Sequence, residues 1–264
     1  MTNAVFSQVS YEDLDRQAAW RGVIVPDSHV FRSFMTNEVA SRLHDAEGAE
    51  EFEACLRGLP GTGFARDALS AILAAEVPEE RAWAVGEAMA EAYLESELNL
   101  AWPWNMERDK RTPKASLPGA DLVGFEVKDG VIRLAFGEVK TSSDKATPPN
   151  VMNGRSGMPH QIDSLATNLS LLNQLLKWLF PRCIRTKHEA SFKSAVSLFL
   201  ASGNKAVALF GVLIRDTPPS ELDLKPRGKS LAETLVAPAT CQLVAIYVPC
   251  SVEELSNLAS AGAS

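Results

Sequence analysis

Cysteine is scarce: Cys55, Cys183, Cys241 and Cys250 are the four in 264 residues. None forms a C-x-x-C pair and none stands at zinc spacing from a histidine. That excludes a disulfide scaffold and a Cys/His zinc module, and it predicts reduced, mostly buried thiols. No apolar run approaches the roughly 18 residues that a membrane span needs. Met1–Ser10 has neither a basic n-region nor an apolar h-region, so no secretory leader is expected and the chain reads as cytoplasmic, without a membrane partner. The 15 prolines and 16 glycines are ordinary numbers, which excludes collagen-like and low-complexity readings.

What is present is a globular composition, 46% hydrophobic and 22% charged. The length suits one large domain, or a small one beside a core of roughly 150–200 residues. The net charge of −7 argues against a generic nucleic-acid coater. It is unevenly spread. Residues 1–100 hold 7 Lys and Arg against 18 Asp and Glu, a net of −11, and residues 101–264 hold 19 against 15, a net of +4. The acidic part suits a basic partner and the basic part suits phosphate.

The pattern divides the chain into a mostly helical N-terminal region, 1–76, and an α/β domain, 77–264. In the first, Arg21–Pro26 reads as a short strand, and Phe34–Leu56 and Phe64–Ala75 read as helices. Pro78 with Glu79 and Glu80 opens a helix that runs to about Leu98. Val85, Met89, Ala92 and Tyr93 form its apolar face, and Glu87 falls inside the wider apolar arc, where a carboxylate is costly unless paired. Ala120–Val127 and Val131–Thr141 read as strands joined at Asp129–Gly130, a strong hairpin signal. A long polar loop follows over 142–159. Then come helices at Gln161–Phe180 and Glu189–Ala201, buried strands at Ala206–Ile214 and Leu243–Val248, and a helix at Ser251–Ala259.

One constellation carries chemistry. Glu138 and Lys140 lie two apart on a strand and so share a face. Asp121 opens the partner strand, and a turn at Asp129–Gly130 brings it opposite Glu138. Two carboxylates beside a lysine suit a hard cation such as Mg²⁺, with the Val139 carbonyl as a further oxygen ligand. Such a site can hydrolyse a phosphodiester, with Lys140 orienting water or stabilising the phosphorane-like transition state. Glu-x-Lys alone arises about once by chance in a chain this long. Glu126–Val127–Lys128 is a second copy, expected to be solvated charge flanking the turn.

The ordered series Gly86-Glu87, Gly119-Ala120-Asp121 and Phe136-Gly137-Glu138-Val139-Lys140-Thr141-Ser142 resembles the PD-(D/E)XK nuclease superfamily. Within it the wording is most like the nuclease subunits of Hachiman anti-phage defence systems (the HamA family). The literal Pro-Asp pair is replaced by Pro118-Gly-Ala-Asp121. The resemblance implies a restriction-endonuclease-like α/β core, a mixed central sheet flanked by helices. It implies a DNA endonuclease using Mg²⁺ or Mn²⁺, with Asp121, Glu138, the Val139 carbonyl and Glu87 on the metal and Lys140 as catalytic lysine. Glu91 is the alternative to Glu87, and Gln161 is a further polar residue of the site. It also implies a superfamily 2 helicase as partner, for which the acidic N-terminal region offers a docking surface. A stand-alone restriction or junction-resolving nuclease, and a silent nucleic-acid-binding scaffold, are the alternatives. Phosphate contacts are expected from Arg108, Lys110, Arg111 and Lys114 and from Lys145 and Arg155. Further basic clusters stand at Arg182, Arg185 and Lys187 and at Lys225, Arg227 and Lys229. Trp102 and Trp104 are expected in the core.

Overall fold

The computed structural model describes residues 4–59, 62–73, 82–109 and 119–260. In chain order the strands are β1 (Gln8–Asp15), β2 (Ala18–Ile24), β3 (Leu100–Ala101), β4 (Leu122–Lys128), β5 (Val131–Ser142), β6 (Val207–Arg215) and β7 (Thr240–Tyr247). The α-helices are α1 (His29–Phe34), α2 (Ala40–Leu43), α3 (Ala46–Arg57), α4 (Gly63–Leu73), α5 (Ala82–Leu98), α6 (Met158–Thr167), α7 (Leu169–Cys183), α8 (Glu189–Ala201), α9 (Lys225–Thr234) and α10 (Val252–Ser260). A π-helical turn, Met35–Val39, joins α1 to α2.

All seven strands form one mixed sheet in the order β1-β2-β7-β6-β5-β4-β3. β2, β7, β6 and β5 run parallel, while β1, β4 and β3 are antiparallel to their neighbours. The chain is therefore α/β, with helices on both faces. β6 is buried at every residue, as a parallel strand covered on both sides must be. One face packs Phe31, Phe34, Val85, Met89, Tyr93 and Leu255 from α1, α5 and α10 against Val139, Val212 and Val244. The other packs Met158, Ile162, Leu172, Phe199 and Leu231 from α6 through α9 against Phe136, Leu213 and Leu243.

The hairpin forms where the sequence predicts it. Asp129 and Gly130 both have positive φ, 52° and 76°, the two-residue turn whose twist matches the flanking strands. The short strand read at Arg21–Pro26 overlaps β2, but a mostly helical reading of 1–76 leaves out β1, and both are strands of the central sheet, with β2 in parallel register with β7. The N-terminal segment is thus built into the same sheet as β5. The proposed 76/77 boundary lies outside the described residues. The helix expected at Gln161–Phe180 is two helices. Asn168, with φ −84° and ψ 96°, breaks the run, and its side chain accepts from the Ser170 and Leu171 amides to cap α7. α7 also runs past the expected end at Phe180, with Pro181 tolerated in its last turn. Among the described residues no helix is long and apolar enough to cross a membrane. All four cysteines are free, with Cys183 and Cys241 buried.

Candidate active site

The site lies where β4 begins and β5 runs on past it, paired from there with β6 alone. The register pairs Leu122 with Gly137, and one step further Asp121 comes opposite Glu138. There β4 leaves the regular ladder. The Asp121 amide donates to the Gly137 carbonyl at 3.0 Å, and the Asp121 Oδ2 accepts from the Val139 N–H at 2.9 Å. A carboxylate thus takes the place of strand backbone as acceptor. The N–H and C=O of one strand residue point to the same side, so the Val139 carbonyl is also directed toward Asp121.

Glu138 and Lys140 share the face occupied by Phe136 and Leu134, the face that α6 covers. Glu138 is 3% exposed and accepts from Lys140 Nζ at 2.6 Å. Burial pushes the Glu138 carboxyl up to about 7. The nearby Asp121 charge, within hydrogen-bond reach, pushes the same way, and Lys140 opposes both. Loss of hydration is thus the main reason the proton is held, and the lysine only partly offsets it.

Gly211 of β6 is the register neighbour of Glu138. A Cβ there would lie 2.6 Å from Met158 Sδ and 2.8 Å from Ile162 Cδ1, so the missing side chain lets the start of α6 settle beside the site. Gln161 stands in that first stretch of α6, half-buried, with an Oε1 that is buried and has no hydrogen-bond partner. A second close approach fixes α5. A Cβ on Gly86 would lie 2.3 Å from Thr141 Oγ1, so α5 touches the end of β5. It touches the opposite face, however, the one carrying Val139. Glu87 is half-buried next to that contact, and Glu91, one turn on, has its carbonyl hydrogen-bonded by Trp102 Nε1 at 3.1 Å.

The structure therefore brings Asp121, Glu138, Lys140 and the Val139 backbone together. Among the described residues, no three His, Cys, Asp or Glu side chains converge in a group able to hold a metal ion. Glu87 stands on α5, which packs on the other face of the sheet. Two carboxylates and a strand carbonyl are still the hard oxygen donors that Mg²⁺ or Mn²⁺ takes, and Mg²⁺ keeps several waters when protein ligands are few. The raised proton affinity of Glu138 fits that reading, since a cation beside two carboxylates would favour their charged forms where burial disfavours them.

The expected phosphate contacts divide. Arg108 is committed elsewhere: its Nε donates to Asp45 Oδ2 at 2.5 Å, its Nη2 lies 3.6 Å from Glu47, and its guanidinium covers the Trp104 ring at 4.8 Å. Lys110, Arg111 and Lys114 lie outside the described residues. Lys145 and Arg155 are exposed in the loop after β5. Trp102 packs against the core as expected. Trp104 instead lines a cleft of about 580 Å³ between Arg108 and Arg182.

Arg215, the last residue of β6, was not singled out by sequence. It is 1% exposed, and its Nη2 donates to the Ala146 carbonyl at 3.2 Å, which pins the loop that follows β5. Its one sequence signal is a charge closing the apolar run Ala206–Ile214. Comparisons with family models, with curated proteins and with solved structures give no match to this chain.

Proposed function

We propose that the chain is a metal-dependent DNA endonuclease of the PD-(D/E)XK type, and the roles below proceed from that reading. The observation that carries it is the meeting of Asp121, Glu138 and Lys140 at the open end of the β4–β5 hairpin, two acids held together in a partly buried place beside one flexible cation. The mixed sheet supports it: an antiparallel hairpin continues through a helical crossover into a parallel strand.

Asp121, Glu138 and the Val139 carbonyl would hold the Mg²⁺ or Mn²⁺ ion. A bound divalent cation supplies Lewis acidity toward a phosphoryl oxygen and neutralises charge on the scissile phosphate. Lys140 has a 22% exposed side chain, so its ammonium reaches the solvent side of the site. From there the Lys140 ammonium, held by Glu138 at 2.6 Å, would be placed to donate to the scissile phosphate or to orient the attacking water. Gln161, in the first stretch of α6, carries an Oε1 that is buried with no partner among the described residues; the resemblance gives it a polar role in the site. Val139 N–H keeps the Asp121 carboxylate oriented.

The resemblance adds a partner, a superfamily 2 helicase that would deliver DNA to an acidic nuclease, and a role in anti-phage defence. A second reading, a silent nucleic-acid-binding scaffold, is favoured by the absence of a third converging acid among the described residues.

The test is cleavage of supercoiled plasmid in Mg²⁺, with and without the candidate helicase and ATP, by wild type and by Glu138→Ala/Lys140→Ala. Metal-dependent cleavage lost in the double variant is expected. Nucleic-acid binding without cleavage under any of these conditions would favour the scaffold.

A further inference from the structure

Three parallel strands, β5, β6 and β7, end on the same side of the sheet, and ligands of open α/β sheets bind outside such carboxyl ends. Lys140 is near the end of β5, and Arg215 and Tyr247 close β6 and β7. The helices that follow β5 and β6 start there too. α6 begins beside Glu138. α9 begins after Asp223, whose Oδ2 accepts from the Tyr247 hydroxyl at 2.9 Å.

α9 is held in a fixed orientation. A Cβ on Gly228 would lie 2.3 Å from Trp20 Cε3, so this turn sits flat on β2, and Leu231 and Ala232 continue the buried face. Lys229, exposed, and Arg227, half-exposed, flank that buried stripe on its two sides. Arg227 Nη2 donates to Asn153 Oδ1, which ties α9 to the loop between β5 and α6. That loop carries Lys145 and Arg155, both exposed. It is ordered from within, since Asp144 accepts from the Ala146 and Asn150 amides and Arg215 holds the Ala146 carbonyl.

The acids around this patch are already engaged. Glu221 pairs with Lys225 at 2.9 Å, Asp216 accepts from Ser143 Oγ and the Val252 amide, and Asp223 is buried against Tyr247 and Arg215. Among the described residues, Lys145, Arg155, Arg227 and Lys229 are therefore cations without a carboxylate ion pair, at the end of the sheet where β5 and its neighbours finish. Their setting contrasts with Arg108, whose charge is absorbed by α3.

We infer that the loop 143–157 and the first two turns of α9 form the surface that holds the phosphate backbone of a DNA duplex, with Lys145, Arg155, Arg227 and Lys229 as the contacts. The inference rests on the nuclease reading and deepens it. Each neutralised phosphate contributes about 0.9 to the slope of log affinity against log salt for B-DNA.

The experiment is fluorescence anisotropy of a fluorescein-labelled 30-base-pair DNA duplex in EDTA, across a salt series. Wild type is compared with Lys145→Ala/Arg155→Ala/Lys229→Ala and with Lys193→Ala, an exposed lysine on α8. The triple variant replaces surface side chains alone, and a melting curve confirms that it folds. Its salt slope is expected to fall by about 2.7 and its affinity at low salt by at least tenfold, while Lys193→Ala matches wild type. A triple variant that binds like wild type overturns the inference and leaves the nuclease reading standing. So does a wild type that cleaves plasmid through Lys140 without measurable duplex binding. A wild type that neither binds nor cleaves removes both.

Discussion

The β4–β5 hairpin carries the triplet Glu-Val-Lys twice, near its turn and at its open end, and the two copies differ in everything except their letters. Near the turn, Glu126 faces Arg133 across the strands and accepts from its Nε at 2.8 Å and its Nη2 at 2.5 Å. It is a buried, neutralised ion pair on the α5 face of the sheet, and Lys128 stands exposed beside the turn. The expectation of solvated charge holds for Lys128 and not for Glu126, which is 8% exposed. At the open end, Glu138 faces Asp121, a like charge, on the opposite face of the sheet. Cross-strand partners of opposite charge stabilise a sheet and like charges strain it. The partner across the ladder, rather than the triplet, separates a structural pair from a reactive one.

Breaking each triplet should have opposite consequences. The largest effect is on catalysis. Lys140→Ala is expected to lower the cleavage rate by about 10³-fold, the scale of losing one charged donor to a transition state, while Lys128→Ala stays within twofold. Steady-state rates in Mg²⁺ measure this. The next effect is on stability. Glu126→Ala leaves the half-buried Arg133 guanidinium without its anion and should cost about 2 kcal/mol in urea denaturation. A cost below about 0.5 kcal/mol, the range of ordinary surface substitutions, would count against the structural assignment.

Glu138→Gln should do the reverse. The folded carboxyl titrates at about 7, above its ordinary value of 4.5. The folded state therefore holds the proton more tightly than the unfolded one. Glu138's contribution is fully present below the unfolded value and is lost as pH rises through about 7. Without divalent metal, wild-type stability should fall across that window, and at pH 8 Glu138→Gln should be more stable by about 2 kcal/mol. Melting curves from pH 5 to 8 check both the slope and its absence in the variant. The smallest effect belongs to Gly211→Ala. The added Cβ meets the flexible Met158 Sδ, so a cost of about 1 kcal/mol and a few-fold loss of rate are expected as α6 shifts from the site. An unchanged rate would argue against α6 as a wall of the site.

The meeting of Asp121 with Glu138 was legible because a two-residue turn fixes every pairing above it. Counting outward from Asp129–Gly130 leads to both residues. Helix α8 forms over Glu189–Ala201, the residues predicted. Other parts were hidden for physical reasons. β1 is an edge strand whose residues are exposed or half-exposed throughout, so no apolar alternation marks it. β3 has only two residues. α9 reads as a polar, Pro- and Gly-containing stretch, because only Gly228, Leu231 and Ala232 are buried. The break between α6 and α7 was masked by an apolar period that runs through it from Ile162 to Leu172. A helical wheel places Glu87 beside the apolar face of α5 but holds no information on which face of the sheet that helix covers. That information comes from Gly86 against Thr141.

The most direct test sets the two triplets side by side: plasmid cleavage in Mg²⁺ by wild type, Lys140→Ala and Lys128→Ala at equal concentration. Cleavage by wild type and Lys128→Ala, with none by Lys140→Ala, is the predicted result. Equal cleavage by all three proteins, or equal loss in both variants, would contradict it.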